Sequence, residues 1–211
     1  AYLQQLDQLV APVALYPDPL LSQIMMASIN PSQIVAADQW ANAHKGLSGS
    51  ALTEALAGQS WDESVKALVA TPSVLDMLSR TLGWTQDLGN AVIAQQADVM
   101  AAVQRLRAQA QRSGTLKSTS QQVVSVNSSQ GTPVIEITPA EPNVIYVPYY
   151  EPGVVYGAWP HAAYPPYYYP PPPNYGYGTA LMTGMMFGLG VAAGAAMFGG
   201  WHWGWSGNGW G

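Results

Sequence analysis

The chain lacks cysteine, and it holds little charge and only three histidines. Without cysteine it can form no disulfide, thiolate nucleophile or cysteine-ligated metal site. His44, His161 and His202 lie far apart, and none has a second plausible ligand at metal-binding spacing. The glycine and serine motifs of P-loop, dinucleotide-binding and nucleophile-elbow enzymes are also absent. We therefore predict no metal site, no cofactor, no catalytic residues and a protein that is not an enzyme.

Charge is scarce and unevenly placed along the chain. Charged residues make up 9% of the 211 positions, whereas a typical soluble domain has about 25%. The 7 Lys and Arg and 12 Asp and Glu leave a net charge of −5. The last cation is Lys117, and nothing charged follows Glu151. Because no basic run is present to neutralise phosphates, nucleic acid is not an expected partner.

Residues 1–115 are predicted to form an all-α bundle of about seven helices. Proline directly follows a capping residue at Asn30 and at Thr71, a pairing that typically starts a helix. Ser60 and Glu63 have the spacing of a capping box, in which the two side chains cap the first turn reciprocally. Apolar residues recur at helical spacing throughout this region, which indicates a packed core.

Residues 116–157 are predicted to form a small antiparallel β region, so the fold class is α+β. Strand patterns cover residues 122–126, 134–138 and 144–149, and residues 154–156 are a candidate fourth strand. Prolines near the ends of these runs confine the strands to edges. An open edge is a place where another copy of the chain could pair.

Two motifs in these regions carry a resemblance to a known family. Leu9–Leu21 is LVAPVALYPDPLL, and Ile135–Gly157 is IEITPAEPNVIYVPYYEPGVVYG. Through both, the chain resembles the YacH-like family of exported bacterial proteins, which carry a domain of unknown function. The resemblance covers roughly residues 3–160. It implies an exported location (periplasm, outer membrane or extracellular), and it implies no activity.

Residues 158–178 form a Pro/Tyr-rich arm with seven prolines and six tyrosines. Consecutive prolines favour the extended polyproline II conformation. Two interpretations remain open for the arm. It is either a disordered linker or an extended segment whose tyrosines pack on a neighbouring subunit.

Residues 179–211 form an apolar, Gly/Trp-rich segment without charge, and they are predicted to contain a C-terminal Gly/Ala/Met helix. Such a helix over 180–200 would be about 30 Å long, the thickness of a bilayer's hydrocarbon core. Small residues recur at every fourth position and would form one flat ridge for close helix packing. These predicted oligomerisation residues are Ala180, Gly184, Gly188, Ala192, Ala196 and Gly200. The predicted membrane-interface residues are Trp201, Trp203 and Trp205.

Two functional hypotheses fit these features. The first is a non-enzymatic, exported envelope protein that self-assembles through its C-terminal segment into a ring, pore-like bundle or filament. Its partners would be copies of itself, with membrane lipid as the alternative surroundings of the tail. The second is a monomeric periplasmic module, tethered by its tail, that binds a peptide or glycan on proline-rich surfaces around Tyr16 and residues 146–156. Deleting residues 179–211 distinguishes them, because only the tethered module would remain a binding monomer.

Overall fold

The protein is an α+β chain in which helices come first and small antiparallel strands follow. The structure, a computed structural model, describes residues 2–129, 131–170 and 184–198. The helices are α1 (Tyr2–Val10), α2 (Asp18–Ala27), α3 (Pro31–Ala43), α4 (Gly49–Ala57), α5 (Glu63–Leu68), α6 (Pro72–Arg80), α7 (Leu82–Arg112) and α8 (Pro152–Val155). The strands are β1 (Gln122–Asn127), β2 (Val134–Pro139), β3 (Val144–Ile145), β4 (Pro148–Tyr150), β5 (Met185–Phe187) and β6 (Val191–Ala192), and a 3₁₀ turn covers Ala195–Phe198.

The helix starts agree with the sequence signals at two positions and differ at a third. Helices α3 and α6 begin at the prolines that follow Asn30 and Thr71, as predicted. At α5 the predicted capping box is wrong. Asp62 is the cap, and its carboxylate accepts a hydrogen bond from the Ser64 amide at 3.0 Å. Because the Asp62 carboxylate already caps the amide two residues further on, Ser60 is not needed as the cap.

Helix α7 is the central element of the bundle. It packs along α1, α2, α6 and β2, and it is kinked at Gln95, whose backbone is not helical (φ −158°, ψ 50°). At Gly89 it passes directly over the Ser28 carbonyl at the end of α2, where a Cβ atom would collide with that carbonyl. One hydrophobic core joins these helices to the strands. Its fully buried members include Val10, Leu15, Leu20, Leu21, Ile24, Leu68, Leu75, Leu88, Val103, Ile137, Ile145 and Val155.

The β region begins with a hairpin. Strands β1 and β2 pair antiparallel from Gln122 opposite Pro139 to Asn127 opposite Val134. Part of the outer edge of β1 is already occupied, because the Ser118 hydroxyl accepts a hydrogen bond from the Val124 amide at 2.8 Å. The candidate fourth strand at 154–156 is wrong. Helix α8 forms there, with proline in its first turn, where the missing N–H is not needed.

The described part of the tail is not the predicted apolar helix, and that prediction is wrong for residues 184–198. Strand β5 pairs antiparallel with β4, and β6 pairs antiparallel with β3. Between and beyond these pairs, the Gly188 amide donates to the Val147 carbonyl and the Ala193 amide to the Asn143 carbonyl, both at 2.9 Å. The tail and residues 143–150 therefore form one antiparallel ribbon.

Glycine explains why this segment is extended. Gly190 lies against the ring of Tyr146, where a Cβ atom would come within 2.9 Å of two ring carbons. Gly188 lies beside the ring of Tyr149, at 3.3 Å by the same measure. Glycine also weakens a helix by about 1 kcal/mol per residue relative to alanine. The small residues thus give room to tyrosine rings of the partner strand.

The predicted small-residue ridge does not form over the described residues. Gly184 lies in a bend, Gly188 and Ala192 lie in the strand segment, and Ala196 lies in the 3₁₀ turn, so they share no helical face. The other predicted positions lie outside the described residues, namely Ala180, Gly200, Trp201, Trp203 and Trp205. Among the residues that the structure describes, no helix combines the length and the apolar character needed to cross a membrane.

Candidate functional site

The first conspicuous polar cluster is built on Arg107 of α7. Its side chain has no exposed surface. It donates to the carbonyls of Ala14 at 2.8 Å, Tyr16 at 2.9 Å and Ile135 at 2.9 Å, and to the Asp18 carboxylate at 2.6 Å. Since Ala14, Tyr16 and Asp18 belong to the first motif and Ile135 begins the second, one guanidinium joins both motifs. This arrangement satisfies a buried cation and gives the motif residues a structural role.

Buried tyrosines connect the same two motifs. The hydroxyls of Tyr150 and Tyr156 donate to the Ala11 carbonyl at 3.0 and 2.7 Å, and the Leu15 amide donates to the Tyr150 hydroxyl at 3.3 Å. The ring of Tyr150 meets those of Tyr16 and Tyr156 edge to face. Burial raises the pKa of all three phenols above the ordinary value, because a buried phenolate would lose its hydration.

This packing removes much of the surface that the binding hypothesis placed around the motifs. Tyr16, Tyr150 and Tyr156 are 5%, 6% and 1% exposed, so a ligand cannot stack on them. Tyr149 is only partly buried, and its hydroxyl lies 3.1 Å from the Ser73 hydroxyl. The proline-rich link between α1 and α2 is therefore buried chain that Arg107 holds in place.

The described part of the Pro/Tyr-rich arm, residues 158–170, packs on its own chain. The imidazole Nε2 of His161 lies 3.1 Å from the carboxylate of Asp7, which also accepts two hydrogen bonds from Arg105. The amide of Gln8 donates to the Pro165 carbonyl at 2.7 Å. The arm is thus fixed against α1 along this stretch, whereas residues 171–178 lie outside the described residues.

The ribbon formed by the tail is the candidate functional site. It contains a β-bulge, because Ile145 pairs with Val191 and Pro148 with Phe187, which places two residues opposite three. Beyond the bulge, the Gln23 amide of α2 donates to the Ala196 carbonyl at 2.9 Å. The ribbon therefore aligns a Gly-rich strand on the Ile-Tyr-Val-Pro-Tyr-Tyr part of the second motif and anchors its end on α2.

The tail leaves space where it meets the helices. A cavity of about 620 Å³ lies between α4, α5 and the end of the tail. Its lining is mostly apolar and includes Leu52, Leu56, Ala67, Ala193 and Met197, with Glu63 and Lys66 also contributing. Met197 is 1% exposed and Ala193 7%, so these are the buried tail side chains that pack against the helices beside the cavity. The described tail residues cover this apolar surface only in part.

The histidines are not brought together. His44 stacks on Trp40 with ring centroids 4.1 Å apart, His161 pairs with Asp7, and His202 lies outside the described residues. Over residues 2–129, 131–170 and 184–198, no group of three or more His, Asp or Glu side chains could hold a metal ion.

Sequence reasoning missed the ribbon and the cluster around Arg107. A signal for the ribbon was present in the tail, because Gly188 and Gly190 alternate as residues on one face of a strand do. No local signal identified Arg107. Its partners Ala14, Tyr16 and Asp18 are about ninety positions away in the chain.

Comparison with known proteins agrees with the two motifs. The chain is 40% identical over 222 aligned positions to the uncharacterized protein YacH of Escherichia coli (strain K12). That match covers 92% of this chain but 36% of the relative, so the chain spans about a third of the relative's length. No solved structure matches the chain. Over residues 3–208 it matches the family model described as protein of unknown function (DUF3300), and the chain therefore belongs to that family, as the YacH-like motifs indicate.

Proposed function

We propose that this chain is a non-enzymatic, exported cell-envelope protein that self-assembles by strand exchange. In this arrangement the C-terminal strand segment of one copy pairs with residues 143–150 of another copy. The observation that carries the proposal is the ribbon, in which the tail is added as a strand to the second motif. The same pairing can form within one chain or between two chains, because an exchanged element makes identical contacts in both cases.

Exchange is limited by the length of the connection to the tail. Residues 171–183 join the arm to the tail strand, and 13 residues can reach at most about 45 Å when fully extended. The pairing itself depends on backbone hydrogen bonds and on few buried side chains, as in peptide recognition by strand addition. The cavity beside Met197 leaves apolar surface that a neighbouring copy would cover.

The exported location is part of the proposal. It is supported by the resemblance of Leu9–Leu21 and Ile135–Gly157 to a family of exported proteins. Membrane lipid remains the competing partner for the apolar tail. A tail held in lipid would make the protein float with vesicles, whereas strand exchange requires protein alone.

The absence of cysteine permits a direct test by disulfide trapping. Val144 and Ala192 are opposite each other in the ribbon, where Cβ atoms lie about 4.5–5.5 Å apart. The double variant Val144→Cys with Ala192→Cys should, after oxidation of the vesicle-free protein, give a ladder of linked chains on a non-reducing gel. A matched control pairs Val126→Cys, exposed on β1, with Ala192→Cys and should give no ladder.

The parent chain should also have a concentration-dependent mass by light scattering. Gly190→Val should lower that mass toward the monomer, because its side chain would collide with Tyr146 and Val144. Gly194→Ala has open space around its Cβ and should behave like the parent. If the cysteine pair links only within single chains and the parent is a monomer at all concentrations, strand exchange is wrong.

A further inference from the structure

A second groove, of about 490 Å³, lies between α1, α7 and the Pro/Tyr-rich arm. Its walls are held by contacts described above, since Gln8 binds the Pro165 carbonyl and Asp7 binds His161. The arm is held from its other side as well, because the ring of Tyr169 packs on Trp84 with centroids 5.5 Å apart. The groove therefore belongs to the folded body and does not depend on the tail ribbon.

The lining of this groove combines aromatic rings with amide side chains. Tyr2, Tyr164 and Tyr167 contribute phenol rings, and Tyr2 and Tyr167 are 47% and 40% exposed. Gln5, Asn90 and Gln95 contribute amides, and within the described part of the chain these three side chains make no hydrogen bond. The groove thus presents exposed tyrosine rings next to amide groups that are available to donate and accept hydrogen bonds.

We infer that this groove binds a neutral oligosaccharide. Each amide offers both a donor and an acceptor, which matches sugar hydroxyls that both donate and accept. Phenol rings present a flat apolar face with a polar tip, and the apolar C–H face of a pyranose ring can pack on such a surface. The volume lies within the range of about 300–1,000 Å³ that is usual for ligand sites.

The charge of the groove argues for a neutral ligand. Among the described residues that line it, Asp87 is the one charged side chain, and none is lysine or arginine. An anionic sugar or a phosphate would be repelled by that carboxylate and would find no cation to pair with it. A neutral sugar would instead gain an acceptor for its hydroxyls.

The backbone of the groove argues against a peptide. Its floor consists of α1 and α7, whose backbone groups are used within the helices, so a peptide strand would find no sheet edge to pair with. The groove does include the interruption of α7, because Gln95 is the residue with non-helical backbone and also lines the groove. The sequence shows the same interruption. The apolar stripe of α7 runs through Leu88, Val92, Val99 and Val103, and between Val92 and Val99 a glutamine stands where an apolar residue would be expected.

The test is isothermal titration of the full chain with neutral hexasaccharides of β-1,4-linked glucose, β-1,4-linked N-acetylglucosamine and α-1,4-linked glucose. We expect at least one to bind, and Tyr167→Ala to weaken that binding by about tenfold or more through loss of a stacking face. Tyr168→Ala is the matched control, because Tyr168 is 39% exposed and does not line this groove. Its affinity should equal that of the parent.

A second set of measurements separates this inference from strand exchange. Gly190→Val should bind the hexasaccharide as the parent does, because none of the described tail residues 184–198 lines the groove. Asp87→Asn should strengthen binding of the acidic analogue oligogalacturonate, while the parent binds it weakly. The inference is overturned if none of the three hexasaccharides binds or if Tyr167→Ala binds as tightly as Tyr168→Ala. The inference is also overturned if a proline-rich peptide binds instead of the hexasaccharides and Tyr167→Ala abolishes that peptide binding.

Discussion

Arg107 holds together the two segments by which the family is recognised. A cation of this kind would be costly to bury alone, but here three carbonyls and the Asp18 carboxylate surround it. A lysine could not replace it, because one ammonium cannot donate in the several directions that the planar guanidinium covers. Between α1 and α2 the first motif forms turns and not a regular helix or strand. The hydrogen bonds that Arg107 donates to Ala14, Tyr16 and Asp18 therefore fix the path of this segment.

Replacing Arg107 by Met should therefore lower the free energy of unfolding by about 3–5 kcal/mol, since it removes the cation beside the buried carboxylate of Asp18. Urea unfolding followed by circular dichroism measures this. Arg80→Met is the control, because Arg80 pairs with Asp76 at the surface at 2.7 Å and should change stability by less than about 1 kcal/mol. Equal effects of the two substitutions would contradict the structural role of Arg107.

At the scale of elements, helices α1–α7 were predicted from the sequence, whereas α8 and the course of the tail were not. Helix starts depend on local chemistry such as the prolines after Asn30 and Thr71, which acts within one turn. The conformation of the tail depends on strand partners several dozen residues earlier. A run of glycine, alanine and methionine fits a close-packed helix as well as a strand beneath tyrosine rings, so local composition did not distinguish them. The proposed sugar groove likewise requires α1, α7 and the arm to meet in space.

The approach of α7 to α2 gives a prediction at this scale. Gly89→Ala should lower the free energy of unfolding by about 1–3 kcal/mol, because the added methyl group meets the Ser28 carbonyl and the helices must move apart. Gly83→Ala lies in the same helix with no atom within 4 Å of its Cβ. It should raise stability by up to about 1 kcal/mol through helix propensity. Thermal unfolding of both variants measures these changes in stability. If Gly89→Ala stabilised the protein, α7 and α2 would not be in close contact at this position.

For the whole molecule, the shared core makes the two motifs one cooperative unit. Tyr16, Tyr150 and Tyr156 lie where they meet, and burial raises the pKa of each above 10.0. Below about pH 10 these phenols are protonated in both the folded and the unfolded chain, and their contribution to stability is complete. At higher pH the unfolded chain loses these protons first, so it binds fewer protons than the folded chain and stability falls.

Stability should accordingly decrease above about pH 10, by up to about 1.4 kcal/mol per pH unit for each of the three phenols. Tyr156→Phe should be less stable at neutral pH, because it loses the hydrogen bond to the Ala11 carbonyl. Its free energy of unfolding should nevertheless fall less steeply with pH than that of the parent. Urea titrations between pH 8 and about pH 11.5 measure both slopes. Parallel slopes would mean that Tyr156 ionises as readily in the folded chain as in the unfolded one.

The ribbon also has a consequence for the order of folding. Its pairs join residues dozens of positions apart, from Tyr150 with Met185 to Asn143 with Ala193, so a large loop must close before the first hydrogen bond forms. Contacts of this separation form slowly compared with helices. During synthesis, residues 143–150 emerge long before their partner strand does. The second motif therefore has an unpaired strand edge during synthesis, until the tail has been made. At that stage, strands of neighbouring nascent chains would compete with the tail to pair with this edge.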